Sequence, residues 1–579
     1  MAFDEEGIDR TIKILVLKNA LEYNGKSRPD AIISKVIGSR PDLRSNLKNL
    51  IPKITEMVHR INSLSIADQK ALLNQIAPTE SQKKKLTESS QMHLPPLEGA
   101  EIGHVITRFP PEPNGYPHIG HAKAAIIDEE YARLYNGKLI LRFDDTNPLN
   151  EKLEYYEVIR EGLEWLGIRP DIIKNSSDDI QLLHEYGKKL VINNGAYLCT
   201  CTQERIHDLR AKGISCECRR DSDIALDRLK KMFDGSYEQG DVIIRFKGDM
   251  SNQNTAMRDP TLFRIIEGDH PKLGNKIRVW PTYDFAGPVE DSLDGVTHAM
   301  RTKEYELRNA LYFAILDRLG LRKPSMIEFS RLEFSGIPVS KRKIKPLIEK
   351  GIIDSWDDPR LPTLMAIRRK GFLPEAIRRF VLSLGLTLAE TKPPIEVLEA
   401  FNRKIIDPHC MRLFFIKDPV ELQIQNASSK EIILKNHPNT DLGVRKIQVS
   451  NTVYITGEDS AKLSVDDEVR LMELYNIKII KKVQSENHSQ ILIANATGDE
   501  IKQNMSKIQW VAKNDTVPYE VMIAKELYQG ERYNTNSLEI CKGFAESFVS
   551  TLKPDTRIQF VRFGFCRIDS HNTAIFTHR

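Results

Sequence analysis

The chain has 579 residues, with 84 basic and 80 acidic side chains and a formal net charge of +4. A single hydrophobic core rarely grows beyond about 250–300 residues, so several domains are expected. No run of about 18 apolar residues is present, and the amino-terminal residues lack the pattern of a secretion signal, which argues against a membrane protein. Seven cysteines, an odd number in a long chain, favour a reducing, cytoplasmic location over a disulfide framework.

The first part of the chain has the periodicity of helices. Apolar residues such as Ile12 and Val16 recur at helical spacing between residue 4 and about residue 77. Residues 78–96 contain charged residues and a Pro-Pro pair, which is typical of an exposed linker. The lysine run at residues 83–85 could contact RNA, but a solvated run of charge is the preferred interpretation.

The most informative segment is RFPPEPNGYPHIGH, which places two histidines in a proline- and glycine-rich turn before a predicted helix. The pattern predicts a strand at residues 104–108, a helix at residues 122–135 and a second strand at residues 138–143. This order opens a nucleotide-binding α/β domain. His118 and His121 would then lie at a helix amino terminus, where phosphate is favoured. The alternative is a pair of histidines that only caps the helix.

Three further segments extend this pattern: LRFDDTNP at residues 141–148, TYDFAGPVEDSLDGVTHAMR at residues 282–301 and PVSKRK at residues 338–343. The histidine segment resembles the HIGH motif of class I aminoacyl-tRNA synthetases, and PVSKRK resembles their KMSKS loop. Together with the two other segments, which resemble pocket motifs, they match the glutamyl and glutaminyl group of these enzymes, in its archaeal form. The resemblance implies a multi-domain protein with a Rossmann-like α/β catalytic domain, a helical amino-terminal module and a carboxyl-terminal β-barrel domain that binds the anticodon.

The resemblance also divides the chain. The expected parts are a helical module and linker (1–97), the first catalytic half (98–199), an acceptor-binding insertion (200–278), the second catalytic half with the KMSKS-like loop (279–345), a helical connector (346–417) and anticodon-binding barrels (418–579).

The turn and the lysine loop suit adenylate formation, in which a carboxylate attacks the α-phosphate of ATP. Such a site aligns the reactants and stabilises phosphate charge, without a covalent nucleophile. The predicted catalytic residues are His118, His121 and Lys341, and the predicted ATP-binding residues are His118, Gly120, His121, Lys341 and Lys343. Mg²⁺ is expected with ATP. Pro338 stands where the motif has its first lysine, and Arg342 takes its last position, so Arg342 or Lys343 would supply the missing phosphate contact. A solvated basic turn is the alternative.

By resemblance, Arg108, Asp144, Tyr283 and Arg301 line the amino-acid pocket, and Asp144 holds the substrate ammonium. Arg301 decides the substrate, because a guanidinium pairs with a γ-carboxylate but offers an amide NH₂ no acceptor. Glutaminyl relatives carry a small uncharged residue there. The prediction is L-glutamate, and the alternative places Arg301 on the surface, paired with Glu304.

Two CxC pairs flank a predicted helix at residues 204–212. Four thiolates from two tight turns could form a tetrahedral zinc site with Cys199, Cys201, Cys216 and Cys218 as ligands. Reduced, unligated cysteines are the alternative. The remaining cysteines, Cys410, Cys541 and Cys566, are predicted to lie in the core.

After about residue 418 apolar residues alternate with polar ones, as at Ile447 and Val449 or Ile491 and Ile493, with frequent turn residues between the runs. This favours barrels over a long flat sheet. By resemblance these barrels bind the anticodon. Trp510, Arg562 and Arg567 could contact bases, but a framework role is preferred for each.

The predicted activity is ATP-dependent attachment of L-glutamate to tRNA(Glu) through a glutamyl adenylate, by a cytoplasmic monomer that does not bind membranes. Charging of tRNA(Gln) as well stays open. A glutaminyl enzyme is the first alternative, and Arg301 argues against it. A catalytically silent RNA-binding paralogue is the second, and intact His118, His121 and Lys341 argue against it.

Overall fold

The computed structural model describes residues 5–22, 25–30, 32–33, 36, 47–76, 94–220, 225–337, 341–390, 392–484, 490–502, 505–530 and 532–579. The chain forms two compact units, Met1–His93 and Leu94–Arg579. No helix within the described ranges is long and apolar enough to cross a membrane. The lysine run at residues 83–85 lies outside the described residues.

The first unit is helical, as its periodicity predicts. Its described helices are α1 (Glu5–Glu22), α2 (Leu47–Asn62) and α3 (Ile66–Ile76). Apolar positions at helical spacing, among them Ile12, Val16 and Ile54, form its core. Gln69 is fully buried, and its amide donates to the carbonyls of Gly25 (3.0 Å) and Ile61 (2.9 Å). This amide ties the start of α3 to the end of α2 and to the loop after α1.

The second unit begins with a parallel α/β layer. Its elements are β1 (Ile106–Phe109), α4 (Ile119–Leu134), β2 (Lys138–Phe143), α5 (Leu153–Trp165), β3 (Ile172–Asn175), α6 (Ile180–Ile192), α9 (Tyr283–Leu293), β8 (His298–Thr302), α10 (Asn309–Leu319) and β9 (Ser325–Phe329). Strands β1, β2 and β3 pair in parallel, and so do β8 and β9. The Thr297 N–H donates to the Ile106 carbonyl (2.9 Å), which sets β8 beside β1. The carboxyl ends of β1, β2, β8 and β9 therefore gather at one edge, where α/β sheets bind ligands.

An antiparallel sheet interrupts this layer. It comprises β4 (Ala196–Cys199), β5 (Ile243–Phe246), β6 (Thr261–Ile265) and β7 (Val279–Pro281) in that order, with α7 (Gln203–Lys212) and α8 (Ala225–Phe233) between β4 and β5. The sheet thus includes one short strand from each side of the predicted 200–278 insertion. A helical connector follows, with α11 (Lys341–Glu349), α12 (Leu364–Arg369), α13 (Pro374–Leu384) and α14 (Ile395–Ile406).

The carboxyl-terminal part consists of β-strands and one short helix, α15 (Gly457–Lys462). Its strands are β10 (Met411–Leu413), β11 (Phe415–Lys417), β12 (Pro419–Gln425), β13 (Lys430–Lys435), β14 (Val444–Val449), β15 (Thr452–Thr456), β16 (Glu468–Leu471), β17 (Asn476–Gln484), β18 (Gln490–Gly498), β19 (Lys507–Ile508), β20 (Val511–Ala512), β21 (Thr516–Ala524), β22 (Tyr528–Gln529), β23 (Arg532–Tyr533), β24 (Leu538–Glu546), β25 (Arg557–Phe560), β26 (Gly564–Ser570) and β27 (Thr573–His578).

Fourteen of these strands form two seven-stranded sheets, each with its two edge strands contributed by one short continuous segment. Strands β13 and β14 form a separate antiparallel pair, and so do β22 and β23. The strand orders of the two seven-stranded sheets are β19-β16-β17-β18-β12-β15-β20 and β10-β25-β26-β27-β21-β24-β11. Residues 507–512 supply both edges of the first sheet, and residues 411–417 supply both edges of the second. Each sheet therefore curls so that its edges meet, and the prediction of barrels is confirmed.

The alternation of apolar and polar residues does not identify the buried face of β18. In β18, Leu492 and Ala494 are fully buried, whereas Ile491 and Ile493 are only half-buried on the opposite face. The run ILIA is apolar at every position, so its alternation cannot indicate which face lies on the core. For Ile447 and Val449 in β14 the predicted buried face is correct.

Candidate active site

The turn before α4 is built from its own histidines. His118 is the cap residue, and its Nδ1 accepts from the Gly120 N–H (3.1 Å), while the His118 N–H donates to Nδ1 of His121 (3.1 Å). A Cβ at Gly120 would lie 2.9 Å from the His118 ring, so glycine is required for this approach. The two histidines therefore cap α4.

Both imidazoles also line a cavity, and their surroundings fix the protonation state of each ring. Burial lowers the pKa of His118 well below its ordinary value, and burial with the nearby Arg331 charge lowers the pKa of His121 to about 4. At neutral pH each ring is therefore uncharged. Because each Nδ1 accepts a hydrogen bond, each Nε2 carries the ring proton and is a donor. The two donors lie at the first turn of α4, which itself favours anions.

A segment of the connector braces this turn. Residues His118 and Thr363 form an isolated antiparallel bridge. The Ile119 N–H donates to the Pro362 carbonyl (3.2 Å), and the Leu364 N–H donates to the Pro117 carbonyl (2.8 Å). The loop before α12 thus fixes the backbone on which both histidines depend.

A cavity of about 1040 Å³ brings the motif residues together. The predicted residues that line it are Arg108, His118, Gly120, His121, Asp144, Tyr283 and Arg301. They come from the carboxyl ends of β1, β2 and β8 and the starts of α4 and α9. The structure therefore gathers into one cavity residues of three of the four motif segments, from Arg108 to Arg301.

The lysine loop is only partly described. Residues 338–340 and the Lys341 side chain lie outside the described residues, so the predicted role of Lys341 stays a prediction. Lys343 lies on α11 outside the cavity lining, with its ammonium 5.6 Å from the ring centre of Tyr528. Arg342 is exposed on the same helix. The phosphate contacts predicted for Arg342 and Lys343 stay predictions.

Arg301 is a buried cation without a carboxylate partner among the described residues. It is 5% exposed, and its Nε has no hydrogen-bond partner there. The guanidinium lies near three tyrosine rings, with centres at 5.7 Å for Tyr283, 5.0 Å for Tyr305 and 5.4 Å for Tyr312. The alternative of a surface pair with Glu304 is wrong, because Glu304 pairs with Arg331 (3.1 Å).

Asp144 supplies a group of opposite charge to the lining of the same cavity. Asp144 Oδ1 accepts from Arg142 Nε (2.8 Å) and from the Ser176 hydroxyl (3.2 Å). Its Oδ2 is buried and has no hydrogen-bond partner within the described ranges. Arg108 is tied down more fully, since its Nε donates to Asp291 (3.0 Å) and its Nη1 to the Met300 carbonyl (2.7 Å). The cavity lining thus includes a carboxylate oxygen without a hydrogen-bond partner among the described residues and, in Arg301, a cation whose Nη1 donates to the neutral Asn309 amide (3.4 Å).

The sequence analysis did not identify several residues that line the cavity. They are Lys123, Asp128, Tyr305, Arg308 and Arg331. Asp128 lies two turns after His121 on α4, so its helical spacing was an available signal. Burial lowers the pKa of Lys123 to about 8 and raises that of Asp128 well above its ordinary value. Arg331 follows β9 and carries no local signal.

The four cysteines of the CxC pairs do meet. Their sulfur atoms all lie within 4.8 Å of one another, with Cys199 to Cys216 at 3.8 Å and Cys201 to Cys218 at 3.9 Å. A tetrahedral zinc with bonds of about 2.3 Å places its sulfur ligands about 3.8 Å apart, so the group fits this ion. The buried Arg245 lies 3.7 Å from the Cys216 sulfur and supplies positive charge beside the cluster. Cys410, Cys541 and Cys566 are buried, as predicted.

The three candidate anticodon contacts make internal interactions. Trp510 is fully buried, and its indole N–H donates to the Met472 carbonyl (2.9 Å). Arg562 forms two hydrogen bonds with Asp459 (2.7 and 2.9 Å), and Arg567 pairs with Asp569 (2.7 Å). The preferred framework role is therefore correct for Trp510, and both arginines take part in framework ion pairs.

Comparison with protein families covers most of the second unit. The model for the catalytic domain of class I tRNA synthetases (E and Q) matches residues 104–408. Two models for the anticodon-binding domain of the same synthetases match residues 410–497 and 507–569. The boundary between the first two matches falls just before β10, where the connector ends.

Similar whole proteins are found among archaea. The glutamate–tRNA ligase of Nitrosopumilus maritimus (strain SCM1) is 46% identical over 575 residues, which are 99% of this chain and 100% of that protein. That of Pyrococcus abyssi (strain GE5 / Orsay) is 38% identical over 587 residues, with 99% and 100% coverage. The crystal structure of glutamate-tRNA synthetase from Elizabethkingia anophelis is 22% identical, with a TM-score of 0.39, and the match covers 52% of this chain and 70% of that one.

Proposed function

Because the chain belongs to the class I aminoacyl-tRNA synthetases of the glutamyl and glutaminyl group, we propose that it joins L-glutamate to tRNA(Glu). The family resemblance inferred from the four motifs is thereby confirmed. Enzymes of this family use ATP, typically with Mg²⁺, and release AMP and diphosphate. The archaeal relatives at 46% and 38% identity are named as glutamate–tRNA ligases, and the similarity covers their full length.

The observation that carries the choice of glutamate is the unpaired, buried Arg301. A guanidinium held by Tyr283, Tyr305 and Tyr312 without a carboxylate partner in the described part of the chain is ready to pair with a γ-carboxylate. Glutamine would leave this cation facing an amide, and an unpaired buried charge is costly. Asp144, which also lines the cavity, supplies a carboxylate for the α-ammonium group. The cavity lining therefore contains a cation for the γ-carboxylate and an anion for the α-ammonium group.

The first step forms the adenylate. The α-carboxylate oxygen of glutamate attacks the α-phosphorus of ATP, and the bond from that phosphorus to the bridging oxygen of the diphosphate breaks. The Nε2–H groups of His118 and His121, with the first turn of α4, are placed to donate to phosphate oxygens. Their neutrality matters, since neutral rings keep a fixed Nε2–H donor while Nδ1 stays engaged in the turn.

In the second step, a hydroxyl of the 3′-terminal ribose of tRNA attacks the glutamyl carbonyl carbon, and AMP leaves. Residues of the antiparallel insertion, including Arg210, Thr255 and Arg264, line the same cavity as the histidines. Their position supports the proposal that the insertion receives the acceptor end. The barrels would bind the anticodon.

Aminoacylation with purified components tests this function. The enzyme would be given glutamate or glutamine with tRNA(Glu) or tRNA(Gln), each transcribed in vitro, in four parallel reactions. Glutamate attached to tRNA(Glu) supports the proposal, and glutamate attached to both tRNAs would broaden its tRNA range. Glutamine attached to tRNA(Gln) as the dominant product would identify the glutaminyl alternative. No glutamate- or glutamine-dependent ATP–diphosphate exchange in the presence of tRNA would favour a silent RNA-binding paralogue.

We also propose that the CxC pairs hold one structural zinc ion. Cys199, Cys201, Cys216 and Cys218 would be its ligands, and the ion would tie the turn after β4 to the segment after α7. Hydrogen bonds from the Cys199 thiol and the Tyr197 hydroxyl, with the charge of Arg245, lower the pKa of Cys216 and favour its thiolate. We further propose that the enzyme is cytoplasmic and monomeric. A reducing cytoplasm keeps cysteines as thiols, which a zinc site requires.

A further inference from the structure

Asp291 lies beneath the amino-acid pocket and touches groups from both of its ends. Its carboxylate is about 1% exposed and contacts three different side chains. Arg108 donates to Oδ1 at 3.0 Å, Arg142 lies 2.9 Å from the same oxygen, and the Tyr312 hydroxyl donates to Oδ2 at 2.9 Å. These partners come from β1, β2 and α10, while Asp291 itself lies on α9. One carboxylate therefore joins four elements below the site.

We infer that Asp291 is a positioning residue that sets the ammonium end and the side-chain end of the glutamate pocket together. The inference rests on the proposed function, since it assigns those two ends to glutamate. Asp291 itself does not line the cavity, so it acts through its partners.

The ammonium end depends on Arg142. This arginine is about 1% exposed and divides its guanidinium between Asp291 and Asp144, whose Oδ1 receives the Arg142 Nε at 2.8 Å. With Oδ1 committed in this way, Oδ2 of Asp144 stays free for the substrate. If the charge of Asp291 were lost, Arg142 would keep Asp144 and Asp294 as its only carboxylate partners among the described residues. The Arg142 guanidinium would then turn toward these two carboxylates, and the orientation of the Asp144 carboxylate in the pocket would change.

The side-chain end depends on Tyr312. The hydrogen bond from its hydroxyl to Asp291 fixes the ring, whose centre lies 5.4 Å from the Arg301 guanidinium. Tyr312 thus forms one wall of the three-tyrosine enclosure around the cation that would read the γ-carboxylate. A ring freed from Asp291 could rotate away and let Arg301 move.

The charge balance shows why an acid is needed at this position. Arg108 and Arg142 are both almost completely buried, and each directs a guanidinium nitrogen at Asp291. Burial acts to raise the pKa of Asp291, but these two cations outweigh it and lower the pKa. The residue is therefore a stable anion between two buried cations, a role that an amide cannot fill. Its neighbour Glu290 faces a different cation, Lys174 (2.8 Å).

The test is steady-state kinetics of Asp291→Asn, which keeps the shape of the side chain and removes its charge. The KM for glutamate should rise about tenfold or more, because losing one partner of a buried charge pair disturbs both ends of the pocket. The KM values for ATP and tRNA should stay within about twofold of the wild-type values. A matched control is Asp317→Asn, whose carboxylate is exposed on α10 and pairs with Lys323.

A second variant and a coupling measurement separate positioning from general destabilisation. Tyr312→Phe keeps the ring and loses one hydrogen bond, so it should raise the glutamate KM by a smaller factor and fold normally. In a double-mutant cycle, Asp291→Asn and Arg301→Gln should be strongly non-additive in glutamate kcat/KM, although the two residues are not in direct hydrogen-bond contact. An unchanged glutamate KM in Tyr312→Phe, or an additive cycle, would overturn the inference. Failure of the wild-type enzyme to use glutamate would instead overturn the proposed function.

Discussion

The backbone N–H of His118 donates to Nδ1 of His121 at 3.1 Å, so the second histidine of the motif holds the first in place. The ring centres lie 4.0 Å apart, and burial keeps both rings uncharged at neutral pH. The same hydrogen bonds that cap α4 thereby leave each Nε2–H free to act as a donor in the cavity. Helix capping and phosphate binding use opposite sides of each ring.

The first prediction concerns acid stability. The pKa of His121 is about 4 in the folded chain and about 6.5 when unfolded, so the unfolded state binds the proton first as the pH falls. The contribution of His121 to stability should be intact above about pH 6.5 and be lost as the pH falls toward 4, with a slope of at most about 1.4 kcal/mol per pH unit. In His121→Gln, which keeps an acceptor at this capping position, the free energy of unfolding should fall less steeply over that range.

Chemical denaturation of both proteins at pH 7.0, 5.5 and 4.5 checks this slope, and parallel curves would contradict it. The same variant should slow glutamate-dependent ATP–diphosphate exchange about tenfold to a thousandfold, because a donor to transition-state charge is displaced. Its tRNA binding should stay near normal. A suitable control is His409, which lies in the connector away from the cavity and can be changed to Gln.

The second prediction concerns substrate choice. Arg301→Gln should lower kcat/KM for glutamate at least about tenfold, since a buried charge pair typically contributes about 2–5 kcal/mol when its partner stays in place. The KM for ATP should change little. Competition between labelled glutamate and glutamine measures the change in preference. Arg379→Gln, which removes an exposed guanidinium paired with Glu375, is the control. Wild-type glutamate kinetics in Arg301→Gln would refute the assignment of this residue.

Local sequence pattern was sufficient for most of the fold. The strand and helix around the histidine turn were predicted within three residues of their ends: α4 begins at Ile119 instead of 122, because the His118 cap starts the helix directly after Pro117. Asn136, which Gly137 follows, adopts a positive φ of 49° and ends the helix region. In β18 every residue of the run ILIA is apolar, so that alternation carried no information about its buried face.

The residues of the site also fall into those that the sequence indicated and those that it did not. Residues inside motifs, such as Asp144 and Arg301, were predicted because the resemblance maps them one by one. Asp291 lies in one of those motifs, yet nothing in the sequence shows that it meets Arg108, which is 183 residues away. Arg331 likewise reaches the cavity only through the pairing of β8 with β9. Contacts made by tertiary packing leave no periodic signal in the chain.

The third prediction concerns zinc. Protein purified without added metal should contain about one zinc ion per chain, and the double variant Cys199→Ser/Cys201→Ser should lose it. Because structural zinc contributes to folding, the insertion of that variant should also become more susceptible to protease. Cys541→Ser, at a buried cysteine elsewhere in the chain, should keep the metal. A wild-type protein without zinc by elemental analysis, and with normal thermal stability, would remove the site.

The fourth prediction concerns the joint between the two barrels. Arg445 on β14 and Glu546 on β24 are both almost completely buried, with Arg445 Nη2 donating to Glu546 Oε1 at 2.8 Å. The same oxygen accepts from the Phe414 N–H at 2.7 Å, at the point where the chain passes between β10 and β11.

Arg445→Met leaves the Glu546 carboxylate buried without its cation, which should lower the free energy of unfolding of the barrels by about 3–5 kcal/mol. Adding Glu546→Gln removes the stranded charge and keeps an acceptor for Phe414, so the double variant should recover part of that loss. Differential scanning calorimetry of the wild type, both single variants and the double variant measures this. A double variant less stable than Arg445→Met alone would show that charge pairing is not what holds the joint.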